Sequence, residues 1–264
     1  MELEFNLDAC KASKKILSKR KFKPANMVWH KTYSNSIHIG CCMDLCRKFK
    51  PDNYEDFFKK YIDYANKHMD EPIIRRGLNI DGLFNMANQW RNESVKNGCD
   101  SNIDVGTFLY AGICHIIVET YDGWLRETAF KTYLEGLGFK CFYPENRLDR
   151  IYGVDMLISV ENEDKWFALQ VKPISFVATT REDTIKDEVG LCMKHDKLKR
   201  DRSIDTYYVI YDGQKWLRRK DNGKYLFKVG ELFDYSSDNI EATFRQKFTR
   251  NDLEKSTELT MFNT

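Results

Sequence analysis

Three polar residues of different chemistry stand close together in an otherwise apolar stretch: Asp155, Gln170 and Lys172. They fall in two runs, Tyr152–Val160 and Lys165–Pro173, whose alternating pattern has the period of two that marks a β-strand. The polar tetrapeptide Glu161–Asn162–Glu163–Asp164 between them is a hairpin connection. A four-residue loop pairs Val160 with Lys165, which sets Asp155 directly opposite Gln170 with Cβ atoms about 5 Å apart. Gln170 and Lys172 lie two apart on one strand and share its face. Val154, Met156, Ile158 and Val160, with Phe167, Leu169 and Val171, form the opposite, apolar face. An acid, an amide and an amine on one face suit a hard divalent cation such as Mg2+, which takes one or two carboxylates and completes its shell with water and phosphate oxygens. Asp155 and the Gln170 amide oxygen would hold such an ion, with the Val171 carbonyl as a third ligand. Lys172 would stand beside the phosphate, orienting water and countering developing negative charge. The plain alternative is a solvent-facing polar stripe, but the segment WFALQVKP reads as a central strand, where an unpaired Lys is costly.

The elements that must position these residues are legible in outline. Glu2 to about Arg20 reads as a basic helix, followed by a looser stretch around Lys23–Pro24. Asn53–Lys67 places Phe57, Phe58, Tyr61, Ile62 and Ala65 at helical spacing, and Leu78–Ser94 does the same with Leu83, Phe84, Met86, Ala87 and Trp90. Val105 to about Leu137 is a long helix or a helix pair, with a break expected near Tyr121–Asp122–Gly123. Strands follow at Lys140–Tyr143, in the two hairpin runs and at Thr206–Tyr211, with a helix from Thr184 to about Arg200 before the last of these. Further strands at Lys215–Arg219 and Tyr225–Val229 and a helix near Ile240–Phe248 complete the pattern. The order describes a mixed α/β core, residues 105–264, behind a mainly helical region, residues 1–104, suited to wrapping DNA or to dimerisation.

Composition narrows the class. The chain has 264 residues, 42% hydrophobic and 14% aromatic, enough for a substantial core and unlike disordered or collagen-like sequences. Val105–Val118, the longest mostly apolar stretch, is shorter than a membrane span, and MELEFNLDACKASKK lacks the apolar centre of a secretory signal. Eight cysteines at this length fit reduced thiols, so a soluble cytoplasmic protein is expected. His38, Cys41, Cys42 and Cys46 prompt the thought of zinc, but a structural site normally draws its ligands as two separated pairs and no second pair appears. His115, in an apolar helix, is expected to be a satisfied core residue. The net charge of +2 conceals clustering. Ala9–Lys31 holds eight Lys/Arg and no acid, and Lys165–Lys228 holds fifteen against nine Asp/Glu. Such patches fit a polyanion partner, or simply a solvated face. Lys194, His195 and Lys197 lie on the helix after the second hairpin strand, which either runs along DNA phosphates or faces water.

The sequence Gly153-Val154-Asp155, then fourteen residues, then Gln170-Val171-Lys172, followed by a helix and TYYVIY, resembles the PD-(D/E)XK nuclease core, with Gln170 in the second acidic position. Within that superfamily, the stretch from about Glu119 to Phe176 is similar to the MjaI family of type II restriction endonucleases. The similarity is carried by ETYDGWLRETAFKTYL, a linker holding Arg147 and Arg150, GVDMLI and QVKPISF. The resemblance implies a mixed central sheet flanked by helices and Mg2+-dependent, site-specific cleavage of double-stranded DNA. It further implies 5′-phosphate ends, a homodimer reading a short palindrome and a cognate DNA methyltransferase as functional partner. Carried over by position, Asp155, Gln170 and Lys172 form the core triad, and Glu127, on the helix before the hairpin, is the candidate additional acid. Arg147, Arg150 and Ser175 join Lys194, His195 and Lys197 as expected DNA contacts. Two departures stand out: Gly153–Val154 occupy positions where Pro is frequent, and Gln170 removes a charge. A structure-directed repair nuclease and a non-catalytic DNA-binding protein on the same core are the rival readings.

Overall fold

The computed structural model describes residues 3–29, 41–136, 138–144, 151–160, 166–173, 194–212 and 215–217. The fold is mixed α/β and mainly helical, and it divides into two compact units, Met1–Leu125 and Arg126–Thr264. The division falls inside a helix, whereas the sequence suggests a boundary near residue 104. The difference has a packing cause, because the apolar helix that starts at Val105 is packed among the N-terminal helices.

The N-terminal unit contains α1 (Leu7–Ser18), α2 (Lys23–Trp29), α3 (Cys42–Phe49), α4 (Tyr54–Lys67), α5 (Ile73–Arg76), α6 (Ile80–Lys96) and α7 (Val105–Ile113). Four starts are set by side-chain caps that accept a backbone N–H the helix leaves unpaired: Asn6 for α1, Asn53 for α4, Asn79 for α6 and Asp104 for α7. The looser stretch expected at Lys23–Pro24 is instead the start of α2, with Pro24 in the first turn, where its missing N–H is harmless. α1 packs on α7, α6 on α7 and α2 on α6. Their shared core holds Trp29, Trp90, Phe57, Phe108, Ile113 and Ile116, all buried. The Trp90 indole N–H donates to the Ala25 carbonyl at 2.8 Å, so this fully buried side chain also satisfies its polar atom.

After α7 the helix continues through a π-helical turn, Cys114–Val118, into α8 (Glu119–Gly136). The expected break at Tyr121–Asp122–Gly123 is absent, because tertiary contacts hold that turn. The Tyr121 hydroxyl donates to the Asp52 carbonyl, and the Tyr54 hydroxyl donates to the Asp122 carboxylate, both at 2.8 Å. The irregularity sits one turn earlier, where His115 stacks on Trp29 at 4.5 Å and bonds Glu119 at 2.8 Å. His115 is thus half-buried, with its ring stacked and its Nδ1 bonded, rather than a fully buried core residue.

The C-terminal unit holds the rest of α8 and a five-stranded sheet in the order β1-β2-β3-β4-β5. The strands are β1 (Phe139–Phe142), β2 (Met156–Val160), β3 (Trp166–Pro173), β4 (Asp205–Asp212) and β5 (Lys215–Leu217). β1, β2 and β3 form an antiparallel meander, β4 runs parallel to β3, and β5 turns back antiparallel. A helical stretch, residues 194–202, precedes β4. The expected division into an apolar and a polar face does not appear. Cys141, Met156, Ile158, Leu169 and Val171 are buried along one set of positions, but Ser159, Ala168 and Gln170 on the other set are buried as well. Val154, expected to side with Met156, packs with Ala168 and Leu198. No described helix is long and apolar enough to cross a membrane. The expected elements at 184–193, 225–229 and 240–248 lie outside the described residues.

Candidate functional site

The site is built on the β2–β3 hairpin. Met156 faces Leu169 and Ser159 faces Trp166, the register that a four-residue connection imposes. Asp155 stands one residue before β2, and its N–H donates to the Leu169 carbonyl at 2.9 Å, one position out of the register, which ends at Met156 and Leu169. The chain enters this position through Gly153, whose φ of +62° lies in the left-handed region that glycine adopts without Cβ strain.

Just beyond the last register pair, the side chains of Asp155 and Gln170 touch. The Gln170 Nε2 donates to Asp155 Oδ2 at 2.6 Å, and the Val171 backbone N–H donates to the same oxygen at 2.7 Å. The amide orientation follows from the chemistry, since the reversed amide would set two acceptor oxygens against each other. Gln170 is only 2% exposed, and its Oε1 is a buried acceptor with no hydrogen-bond partner among the described residues. Such an atom costs about 1–3 kcal/mol unless something occupies it. The half-buried carboxylate meets the amide nitrogen, so the buried oxygen lies on the other side of the amide; both oxygens are hard donors. This pairing fits a divalent cation that takes few protein ligands.

The other expected residues distribute unevenly. Lys172 is described by its backbone alone, two positions beyond Gln170 in β3 and in register with Ile210 of β4. Val171 contributes its N–H to Asp155, a contact that the expectation of a carbonyl ligand did not include. Glu127 lies on α8 and is buried, 6% exposed, within the same unit as the hairpin. Arg147, Arg150 and Ser175 lie outside the described residues. Lys194 and Lys197 are exposed on the 194–202 helix.

His195, expected among the DNA contacts, points inward. It is buried, and its Nε2 is 3.0 Å from the Gly153 carbonyl. A carbonyl only accepts, so Nε2 carries the proton. Further along the same helix, Asp201 accepts from the Tyr152 hydroxyl at 3.1 Å. Leu198 packs with Tyr152, Val154 and Ala168 in a small apolar cluster. Sequence reasoning missed this docking of the helix onto residues 152–154. The only hint was an apolar spacing, His195 and Leu198, inside a basic segment.

In the N-terminal unit, Cys41, Cys42 and Cys46 are buried. Hydrogen bonding to Cys41 and burial push the Cys42 thiol well above its ordinary pKa. His38 lies outside the described residues. Among the described residues no group of three His, Cys, Asp or Glu side chains is arranged to hold a metal ion. The Asp155–Gln170 pair is therefore the candidate centre, with a single carboxylate. Comparison with known protein families, curated proteins and solved structures finds no match for this chain.

Proposed function

We propose that the chain is a Mg2+-dependent type II restriction endonuclease. It would hydrolyse phosphodiester bonds of double-stranded DNA at a short specific site and leave 5′-phosphates. The observation that carries this reading is the contact between Asp155 and Gln170, with the buried Gln170 oxygen left without a hydrogen-bond partner among the described residues. The element order supports it as well, a helix followed by three antiparallel strands, a helix and a strand parallel to the third, which is the arrangement expected of a PD-(D/E)XK core.

In this reading Asp155, the Gln170 amide and the Val171 carbonyl would hold the ion, which would neutralise phosphate charge and acidify bound water. The Gln170 amide has two states available. Its N–H group orients Asp155 when the site is empty, and a half-turn of the amide would present Oε1 beside the carboxylate. Lys172 would orient the attacking water and offset charge building on the phosphate. Exposed Lys194 and Lys197 would hold the DNA backbone, and Glu127 is the candidate further acid.

The test is digestion of plasmid DNA with Mg2+ by wild type, Asp155→Ala and Lys172→Ala, with binding followed in parallel. The expected result is discrete fragments from wild type alone and binding by all three. Full cutting by both variants would reject the site, and sequencing the fragment ends reads specificity, stagger and 5′-phosphate chemistry together. One observation favours a second reading, a DNA-binding protein without catalysis: Gln170 stands where an acid is common and already donates to Asp155. Tight binding with no cleavage in Mg2+ or Mn2+ would favour it.

A further inference from the structure

We infer that His195 is a positioning residue that fixes the Asp155 carboxylate by holding the Gly153 carbonyl, an inference that rests on the reading of Asp155 as a site residue. Gly153 is buried, and the β2 ladder begins three residues later at Met156, so its carbonyl has no ladder partner on β3. Left unbonded, a buried carbonyl costs about 1–3 kcal/mol. The N–H of His195 supplies the bond at 3.0 Å.

This bond bears on Asp155 through backbone geometry. Gly153 is the residue with a left-handed φ, and glycine resists rotation less than any other residue. A change of its torsions swings Val154 and Asp155 together. The Asp155 carboxylate must keep two bonds, 2.6 and 2.7 Å long, to remain opposite Gln170. A shift of about 1 Å in such a site is enough to matter for reactivity. Holding the Gly153 carbonyl stops that rotation at its origin.

The rest of the helix is built to keep His195 in place. Tyr152, the neighbour of Gly153, donates to Asp201 at 3.1 Å, and Leu198 packs against Tyr152 and Val154. His195 and Asp201 therefore grip the same segment at points about 9 Å apart along the helix axis. A phosphate contact would instead present the imidazole to solvent, as Lys194 and Lys197 are presented.

The test compares His195→Leu, which keeps volume but loses the donor, with His195→Gln, whose amide N–H reaches to the same place. Two readouts are followed: amide hydrogen exchange at Asp155 and Val171, and kcat and KM for DNA cleavage. His195→Leu is expected to speed exchange at both amides and to lower kcat by about 10- to 100-fold with KM for DNA unchanged. His195→Gln is expected to restore slow exchange and most of kcat. If His195→Leu does not fold, His195→Asn, polar but too short to reach Gly153, takes its place with the same expectations. The positioning role is overturned if the donor-free variant matches an active wild type. It is equally overturned if KM rises while kcat holds, or if His195→Gln is as impaired as His195→Leu. Wild-type protein that cuts no DNA with Mg2+ or Mn2+ would overturn the nuclease reading itself, whatever the exchange data show.

Discussion

The amide of Gln170 and the carboxylate of Asp155 share one partly buried hydrogen bond, and this pair invites a substitution that changes charge at constant shape. In Gln170→Glu the donor becomes a second acceptor, and two carboxylates at that distance cannot both ionise cheaply. One of them has its pKa raised by the fold, so the stability linked to it is present in acid and lost as the pH rises through that value. The variant is expected to lose about 1–3 kcal/mol at pH 8 without divalent ions. Mg2+ should return part of this loss by occupying the two acids. Thermal unfolding at pH 5 and pH 8, with and without Mg2+, reads both effects; a midpoint indifferent to Mg2+ would remove cation binding from this pair. The cysteines offer a second residue-scale check. Burial raises the Cys10 and Cys141 thiols to about 12 from an ordinary 9.0. The folded protein then keeps protons that the unfolded chain releases, so stability is fully present below about pH 9 and declines as the pH rises towards 12. Both thiols are expected to resist a thiol reagent at pH 8 until denaturant is added, and rapid labelling of the native protein would contradict their burial.

At the scale of elements, the helices whose apolar spacing is long and whose caps are strong were legible from the residues. α4 and α6 lie within a few residues of the expected spans, with Asn53 and Asn79 as their caps. α3 was not legible, since it is only eight residues long and Cys41 at its start makes no side-chain cap. Tertiary contacts, not propensity, place it. The contact between α4 and the segment before α6 shows the same dependence. The Tyr61 hydroxyl accepts the Leu78 N–H at 2.8 Å, in a buried site. Next to it, Gly77 has φ +79°, and a Cβ there would meet the Tyr61 ring at 2.6 Å. Tyr61→Phe is expected to lower stability by about 1–3 kcal/mol by stranding that N–H. Gly77→Ala should lower it too, through backbone strain and the clash with the ring. Chemical denaturation curves measure both, and a neutral Gly77→Ala would argue against the close approach.

For the whole molecule, the division inside α8 separates a helical unit with its own aromatic core from the unit that carries the hairpin. The notion of an N-terminal region that wraps DNA or forms the homodimer remains a proposal. It meets a plain electrostatic expectation, because Lys11, Lys15 and Lys19 are exposed on or just after α1 while Lys14 is paired with Glu119. If this basic run and the 194–202 helix both meet phosphates, the logarithm of DNA affinity should fall linearly with that of salt concentration, with a slope of about −0.9 for each phosphate neutralised. Replacing Lys194 and Lys197 by Ala should make the slope shallower by up to about two such increments. An unchanged slope would take that helix off the DNA. Sedimentation with a palindromic target tests the proposed dimer, and a monomer both free and bound would count against it.

What the residues determined by themselves was local: the alternation of period two, the four-residue connection, and hence the register that brings Asp155 opposite Gln170. Strand pairing across a short turn leaves few choices, so pattern alone settles it. What only the tertiary structure decided was everything that joins distant segments. His195 turns inward to Gly153, 42 residues earlier in the chain, and Tyr121 pins its helix turn to Asp52, 69 residues away. The direction in which the Gln170 amide points, and the oxygen it leaves over, belong to the same class. Such contacts depend on which surfaces meet when the core closes, and no periodicity along the chain encodes that meeting.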